Sequence, residues 1–399
     1  MSSVDTQLHA ALARALDGVP HHELRRRVDA LSHRYRTEQV DDTAPAVRDH
    51  LDALAYAVIR MPATFRALYA AFSAAERHID ASFTTHLDLG GGTGAAAWAT
   101  ESLWPHITTE IIERQPAAIR LGQQLAAGNS WRWTTADLNH WSKLPDPDPD
   151  PGRSAPDPRD PAEAADAAEP ADSGGPAEPA VPAESGEPGV PAEPAELAEP
   201  GESARSARSG RSGRSGRSGR SGRSGRSGRS VDLITIGYVL NELSAETRRL
   251  VIHAATRAAK TIVIVEPGTP HGHRRTLQAR DQLIDQGFTI AAPCPHQREC
   301  PTDWCHFAAR LPRTELHRVL KDGTRNYEEE RFSYVVATRA PVRPAPARVI
   351  RRPARPKGRV ILELCMSAGT AQQLIVPKSD DAYRAARGTN WGDAWTQSS

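Results

Sequence analysis

From residue 5 to 80 the apolar positions recur every three or four residues. LHAALARAL, ELRRRVDALSHRY and DHLDALAYAVI each carry one apolar face of a helix, and RMPATFRALYAAFSAAERHI resumes the pattern after a proline suited to a first turn. After residue 80 the period shortens. HLDLGGG, ITTEIIE, RWTTADL, VDLITIGYVL and TIVIVEPG are brief β-rich runs, most of them separated by helix-like stretches such as AAAWATESLW, PAAIRLGQQLAAG and AETRRLVIHAATRAAK. Strands alternating with helices predict a parallel sheet with crossover helices, hence an α/β fold of Rossmann-like type behind an N-terminal helical region.

The pattern fails altogether between residues 145 and 230. This stretch has almost no large apolar side chain and runs from Pro-, Ala- and Glu-rich sequence into an Arg-Ser-Gly repeat. Nothing in it offsets the entropy of ordering, so it reads as a disordered insertion, placed between the third and fourth strands. The predicted organisation is a helical region over 1–80, an α/β domain over 81–144 and 231–340, the insertion over 145–230, and a basic arm with a small β-containing extension over 341–399.

Composition changes the picture in two ways. The formal charge of +1 for 399 residues hides unlike regions: 145–204 carries 16 acidic residues against Arg153 and Arg159, and 205–230 nine arginines, which leaves the folded remainder near +6. A mildly basic body is compatible with a nucleic-acid partner. In addition, no apolar run approaches the ~18 residues of a membrane span, and the first residues lack a basic start followed by an apolar core. The expectation is therefore a cytoplasmic protein without membrane contact, in a compartment where thiols stay reduced and clustered cysteines more often bind metal than form disulfides. A monomer is the expected state.

The first strand ends in LDLGGGTGAAAWA, with Asp88, Gly90, Gly92 and Gly94 at alternate positions before a helix. Such a loop turns sharply and brings backbone close to a ligand at the carboxyl edge of the sheet. Taken alone it also satisfies a dinucleotide fingerprint through Gly90, Gly92 and Ala95, so a nicotinamide is the alternative cofactor. Glu113, 23 positions after Gly90 at the end of the second strand, is placed to accept from a ribose diol, and Asp137, at the end of the third, to meet an adenine amino group. On the fourth, Asn241 and Glu242 face the place of a reactive group, with Glu242 the better candidate for a general base. This series resembles the class I S-adenosylmethionine-dependent methyltransferases. No Asn-Pro-Pro-Tyr strand end occurs, and Pro293-Cys294 lies too far along the chain to be a cytosine C5 nucleophile.

The four cysteines are Cys294, Cys300, Cys305 and Cys365, three of them within twelve positions. Cys365 alone in VILELCMS would read as a small buried hydrophobe. The other three, set among Pro, His, Arg and Asp, read as ligands. Four thiolates are the usual complement of a structural zinc or of a [4Fe-4S] cluster. The absence of Cys-x-x-Cys and the wide gaps suit a cluster somewhat better without deciding, and the spacing of radical chemistry is missing. His296 and His306 are possible substitute ligands or groups that support the ligands.

Longer stretches carry a more specific resemblance. AYAVIRMPATFRAL, YVLNEL, VEPGTPHGHRRTLQARDQLI, APCPHQRECPTDWCHFAARLPRTELHRVLKDGTRNYEEERFSYVVATR and KGRVILELCMSAGTAQQLIVPKSDDAYRAARGTNWGDAW are similar to the ribosomal small-subunit methyltransferase-like family, which comprises a mitochondrial small-subunit assembly protein and its bacterial relatives. The resemblance covers about 50–144 and 231–399. It implies a class I methyltransferase fold, S-adenosylmethionine at Gly90, Gly92 and Glu113, a [4Fe-4S] cluster on the four cysteines, and association with the small ribosomal subunit and its rRNA. The insertion departs from the family pattern. The segment 341–359, with seven Arg or Lys and no acid, reads as a phosphate-contacting arm or a solvated linker. Trp391 and Trp395 read as base-stacking or core residues, and Lys321, Arg325 and Tyr327 as further candidate RNA contacts.

Overall fold

The computed structural model describes residues 3–37, 47–139, 230–313, 315–320 and 325–396. The insertion expected over 145–230 falls, up to residue 229, outside the described residues, as does Lys321.

Four N-terminal helices come first: α1 (Ser3–Ala15), α2 (His21–Thr37), α3 (His50–Ile59) and α4 (Met61–His78). Asp49 caps α3 by accepting the Asp52 N–H at 2.9 Å. Pro62 sits in the first turn of α4, where its missing donor costs nothing. Then follow β1 (Thr85–Leu89), α5 (Ala95–Leu103), β2 (Thr108–Glu113), α6 (Pro116–Leu125), β3 (Arg132–Thr135), β4 (Val231–Gly237), a 3-10 turn (Leu240–Glu242), α7 (Ala245–Ala258), β5 (Ala259–Pro267) and α8 (Pro270–Asp285). Every helix and strand read from the periodicity up to β5 is present.

The remaining strands of the main sheet are β6 (Thr289–Ala292), β7 (Phe307–Pro312) and β8 (Tyr327–Thr338). The sheet order is β3-β2-β1-β4-β5-β8-β6, with β7 added on β8. β1 to β5 pair in parallel, and β8 inserts antiparallel between β5 and β6. The chain reverses its winding at β1, so the carboxyl ends of β1 and β4 open a crevice there. Alternate residues of the strands feed opposite cores. Leu233, Val263 and Val265 pack under α4 and α5, while Ile234, Ile236, Ile262 and Ile264 pack against α7 and α8. Strands buried on both faces explain the unbroken apolar runs in VDLITIG and TIVIV. α4 is the main cover of the first face; its Leu68, Ala71, Phe72 and Ala75 are buried at helical spacing.

A second sheet, of order β11-β10-β9-β12, is antiparallel and built from β9 (Ala347–Val349), β10 (Arg359–Met366), β11 (Ala371–Pro377) and β12 (Ala394–Trp395), with α9 (Tyr383–Gly388) on it. It has its own small core, which includes Val349, Leu362, Leu364 and Trp395. Trp391 packs edge-on to His306, 5.0 Å between centroids. Both tryptophans therefore serve packing.

The arm over 341–359 differs from a solvated linker. Arg348 is buried and donates to Pro293 O (2.9 Å), Gly392 O (3.0 Å) and His78 Nε2 (2.9 Å). Arg343 donates to Ile79 O, Arg351 to Trp304 O, Arg352 to Glu329 and Arg355 to Thr389 O. Four of the seven cations thus bond to residues outside the second sheet, while Arg355 is held within it.

Candidate functional site

The crevice at the carboxyl edge is a cleft of about 800 Å3 lined by Gly90, Gly92, Glu113, Asp137 and Glu242 among others. Five of the residues expected at the site therefore converge. The loop explains why glycine is needed. Gly90, at φ +71°, would place a Cβ 2.6 Å from Val239, whereas a Cβ on Gly92, at φ +55°, would meet nothing within 4 Å. The space over Gly92 is the open floor of the cleft.

Asp88 and Gly94 shape the floor from below. Asp88 is buried beneath the loop, its Oδ2 without a partner among the described residues, and burial with Glu113 nearby pushes its carboxyl up to about 8. Gly94, at φ +90°, starts α5. Glu113 accepts backbone N–H groups from Gly92 (2.9 Å) and Gln115 (2.8 Å), so its carboxylate ties the loop to β2 while keeping further lone pairs. Burial raises its pKa against those donors. Asp137 accepts from Asn139 N at 2.9 Å and lies 4.0 Å from Arg114.

The 3-10 turn carrying Asn241 and Glu242 is clamped from behind. Glu266 Oε1 accepts the Leu240 N–H at 3.2 Å, and Arg275 Nε pairs with Glu266 Oε2 at 2.6 Å. Arg248 donates to Leu240 O and Leu243 O. Burial, with Glu113 nearby, pushes Glu242 up to about 7, so it exchanges a proton near neutrality. Asn241 does not line the cleft; its Oδ1 is buried and unpartnered among the described residues.

Two tyrosines in the cleft escaped the sequence reading. Tyr56 reaches it from α3. Tyr238 holds φ +60°, a strained value for a residue with a side chain, and donates to Glu330 Oε1 at 3.1 Å, where Arg60 also binds. A non-glycine left-handed residue has no sequence signature.

A second cavity is lined by all four cysteines together with Arg280 and Arg348. Cys294, Cys300 and Cys305 come from the segment between β6 and β7, and Cys365 from β10. Burial pushes the Cys365 thiol up to about 12 and raises Cys294 and Cys305, with the other sulfurs adding to it. Among the described residues no group of three or more His, Cys, Asp or Glu grips a single metal ion. The four cysteines nevertheless share one cavity, and four thiolates are the donor set of either a structural zinc or a [4Fe-4S] cluster. His306 stacks on Trp304 with 4.3 Å between centroids.

The parallel sheet with its inserted antiparallel strand, the winding reversal at β1 and the glycine loop define a class I methyltransferase-like protein. The sequence model of the family described as mitochondrial small ribosomal subunit Rsm22 matches residues 50–138 and 208–396, more than half of the chain. The chain belongs to this Rsm22 family. The Rsm22-cox11 tandem protein 2, mitochondrial, of Schizosaccharomyces pombe is 30% identical over 180 residues, 33% of this chain and 24% of that protein. The human ribosome assembly protein METTL17, mitochondrial, is 28% identical over 184 residues, 41% of this chain and 39% of that protein. The chain thus spans well under half the length of these curated relatives. Among solved structures, magnesium protoporphyrin IX methyltransferase from Synechocystis PCC 6803, with bound SAH, aligns with TM-score 0.34 and 13% identity over 77% of this chain and 93% of that one. An O-methyltransferase family protein from Burkholderia thailandensis aligns with TM-score 0.36 and 10% identity over 78% and 69%. The strand order, not these distant likenesses, defines the fold. Among the described residues no helix is long and apolar enough to cross a membrane.

Proposed function

We propose that this chain binds S-adenosylmethionine in the crevice and methylates the RNA of the small ribosomal subunit during its assembly, with a [4Fe-4S] cluster on Cys294, Cys300, Cys305 and Cys365. The observation that carries the reading is the convergence of Gly92, Glu113, Asp137 and Glu242 around one cleft at the carboxyl ends of successive strands. Bound there, the donor supplies an electrophilic methyl group on its sulfonium. Glu113 offers lone pairs to a ribose diol, Asp137 accepts from an adenine amino group, and the bare backbone at Gly92 admits the donor's close approach. Glu242, held by the Glu266 clamp, takes the proton from the accepting atom of the target base. The rest of catalysis is positioning, since a sulfonium needs little activation. The four thiolates hold the cluster as a structural or redox-sensing clasp between the two sheets.

The fold match supports the donor, and family membership supports the ribosomal partner. The compartment follows the ribosome that the protein serves. A second reading, an assembly factor that binds the donor without turnover, is favoured by the human relative's name as a ribosome assembly protein. Incubating the protein with small-subunit particles and methyl-labelled donor separates the two. Label in the RNA with wild type, absent with Glu242→Gln that still binds donor, supports the enzyme; no label with wild type sinks it and leaves the assembly reading.

A further inference from the structure

The four-cysteine cavity has an apolar wall that includes Leu277, Phe307, Val335 and Ile350, yet Arg280 and Arg348 also line it and a buried histidine stands beside one of its cysteines. His296 is buried, and its Nδ1 accepts the backbone N–H of Arg298 at 3.1 Å. An accepting Nδ1 puts the proton of the neutral ring on Nε2, and Nε2 lies 3.3 Å from Cys365 Sγ. Arg280 lines the cavity with Cys294, and its charge opposes the upward pull of burial on that thiol. Arg280 Nη2 donates to His296 O and Arg298 O, so the imidazole and the guanidinium are held by the same short segment. Cys300 lies 3.4 Å from Thr302 Oγ1.

Arg348 completes the ring. It is 2% exposed and its partners among the described residues, two carbonyls and a histidine, are all neutral. Arg280 is equally buried, and its one carboxylate, Asp281, is 65% exposed. Two buried guanidiniums without a buried counter-charge are costly unless an anion shares their cavity. Four thiolates around a [4Fe-4S]2+ core, or around one zinc, carry roughly two negative charges, which is the complement of these two cations.

We propose that His296 is the positioning residue of this centre, donating its Nε2–H to the Cys365 thiolate, and that Arg280 and Arg348 supply the counter-charge that lets an anionic tetrathiolate centre sit buried between the two sheets. The proposal rests on the cysteine-cluster reading above. Removing a group that orients a ligand typically lowers metal affinity ten- to a hundred-fold.

The test uses the full chain, purified and reconstituted without oxygen, as wild type, His296→Leu and His296→Gln, whose amide N–H can stand in for the imidazole donor. Iron, sulfide and zinc are counted, and loss of the metal to excess chelator is followed by visible absorption for iron or by a zinc dye. The expected result is metal loss about ten- to a hundred-fold faster from His296→Leu, with His296→Gln near wild type and donor binding at the distant crevice intact in all three. Equal release rates in wild type and His296→Leu would overturn the proposal, as would fast release from both variants alike. If wild type takes up zinc and no iron, the cluster reading fails while the same release rates still decide the role of His296. A wild type that holds neither metal overturns both.

Discussion

His86 shows how much a single polar residue is constrained in this sheet. It is buried on β1, with Nε2 2.9 Å from Thr235 Oγ1 and Nδ1 3.3 Å from Thr109 Oγ1, and burial pushes its pKa down to about 3. The folded state therefore leaves it neutral while the unfolded chain protonates near ~6.5. Its contribution to stability is complete above that pH and is lost as pH falls from about 6.5 toward 3, because the unfolded state binds the extra proton. Between pH 7.5 and 5 this amounts to about 2 kcal/mol. Urea denaturation at the two pH values should show that loss in wild type and not in His86→Gln; equal losses in both would refute the assignment. At this scale much was legible beforehand. Gly90, Gly92, Glu113, Asp137 and Glu242 stand out because each follows a strand in order, and the cysteines because three crowd a stretch without apolar period. Tyr56 and Tyr238 were not legible. One arrives from a helix that nothing in its local pattern links to the cleft, and the other depends on a backbone angle. Neighbours in a 3-10 turn point different ways, and of the expected pair Glu242 lines the cleft while Asn241 does not.

Among the elements, the turn Leu240–Glu242 depends on partners far along the chain. The Glu266–Arg275 pair that accepts the Leu240 N–H is fully buried on the acid side and part-buried on the base, so removing the acid's charge leaves a guanidinium without its counter-charge. Glu266→Gln should cost roughly 3–5 kcal/mol. Glu246→Gln, which breaks the exposed pair with Arg249 on α7, should cost under about 1 kcal/mol. Chemical denaturation of both variants checks the contrast, and similar small losses would mean that the clamp does not hold the turn. The stretch VEPGTPHGHRRTLQARDQLI was visible as part of the resemblance, yet the role of Glu266 within it became clear only when β5 placed it beside the turn. Likewise the basic arm looked like a phosphate-binding run. A charge pattern does not say which backbone carbonyls lie within reach, and here those of Pro293, Gly392, Trp304 and Thr389 take the arginines.

Among the described residues, the cleft and the four-cysteine cavity are lined by different sets of residues. The first is cut by the winding reversal of the main sheet and the second closed by a strand of the C-terminal sheet. Alternating strand and helix periods foretold the first sheet, because parallel strands must be joined by crossovers. The antiparallel β8 and the C-terminal sheet were less legible, since long-range pairing leaves no local trace. The central claim is that the crevice over the glycine loop is a donor site, and titration calorimetry with S-adenosylmethionine tests it most directly. The cleft predicts one donor per chain for wild type and no measurable binding for Gly92→Arg, whose side chain must enter the open space above the loop, with circular dichroism unchanged. No binding to folded wild type, or equal binding to both proteins, would contradict the account.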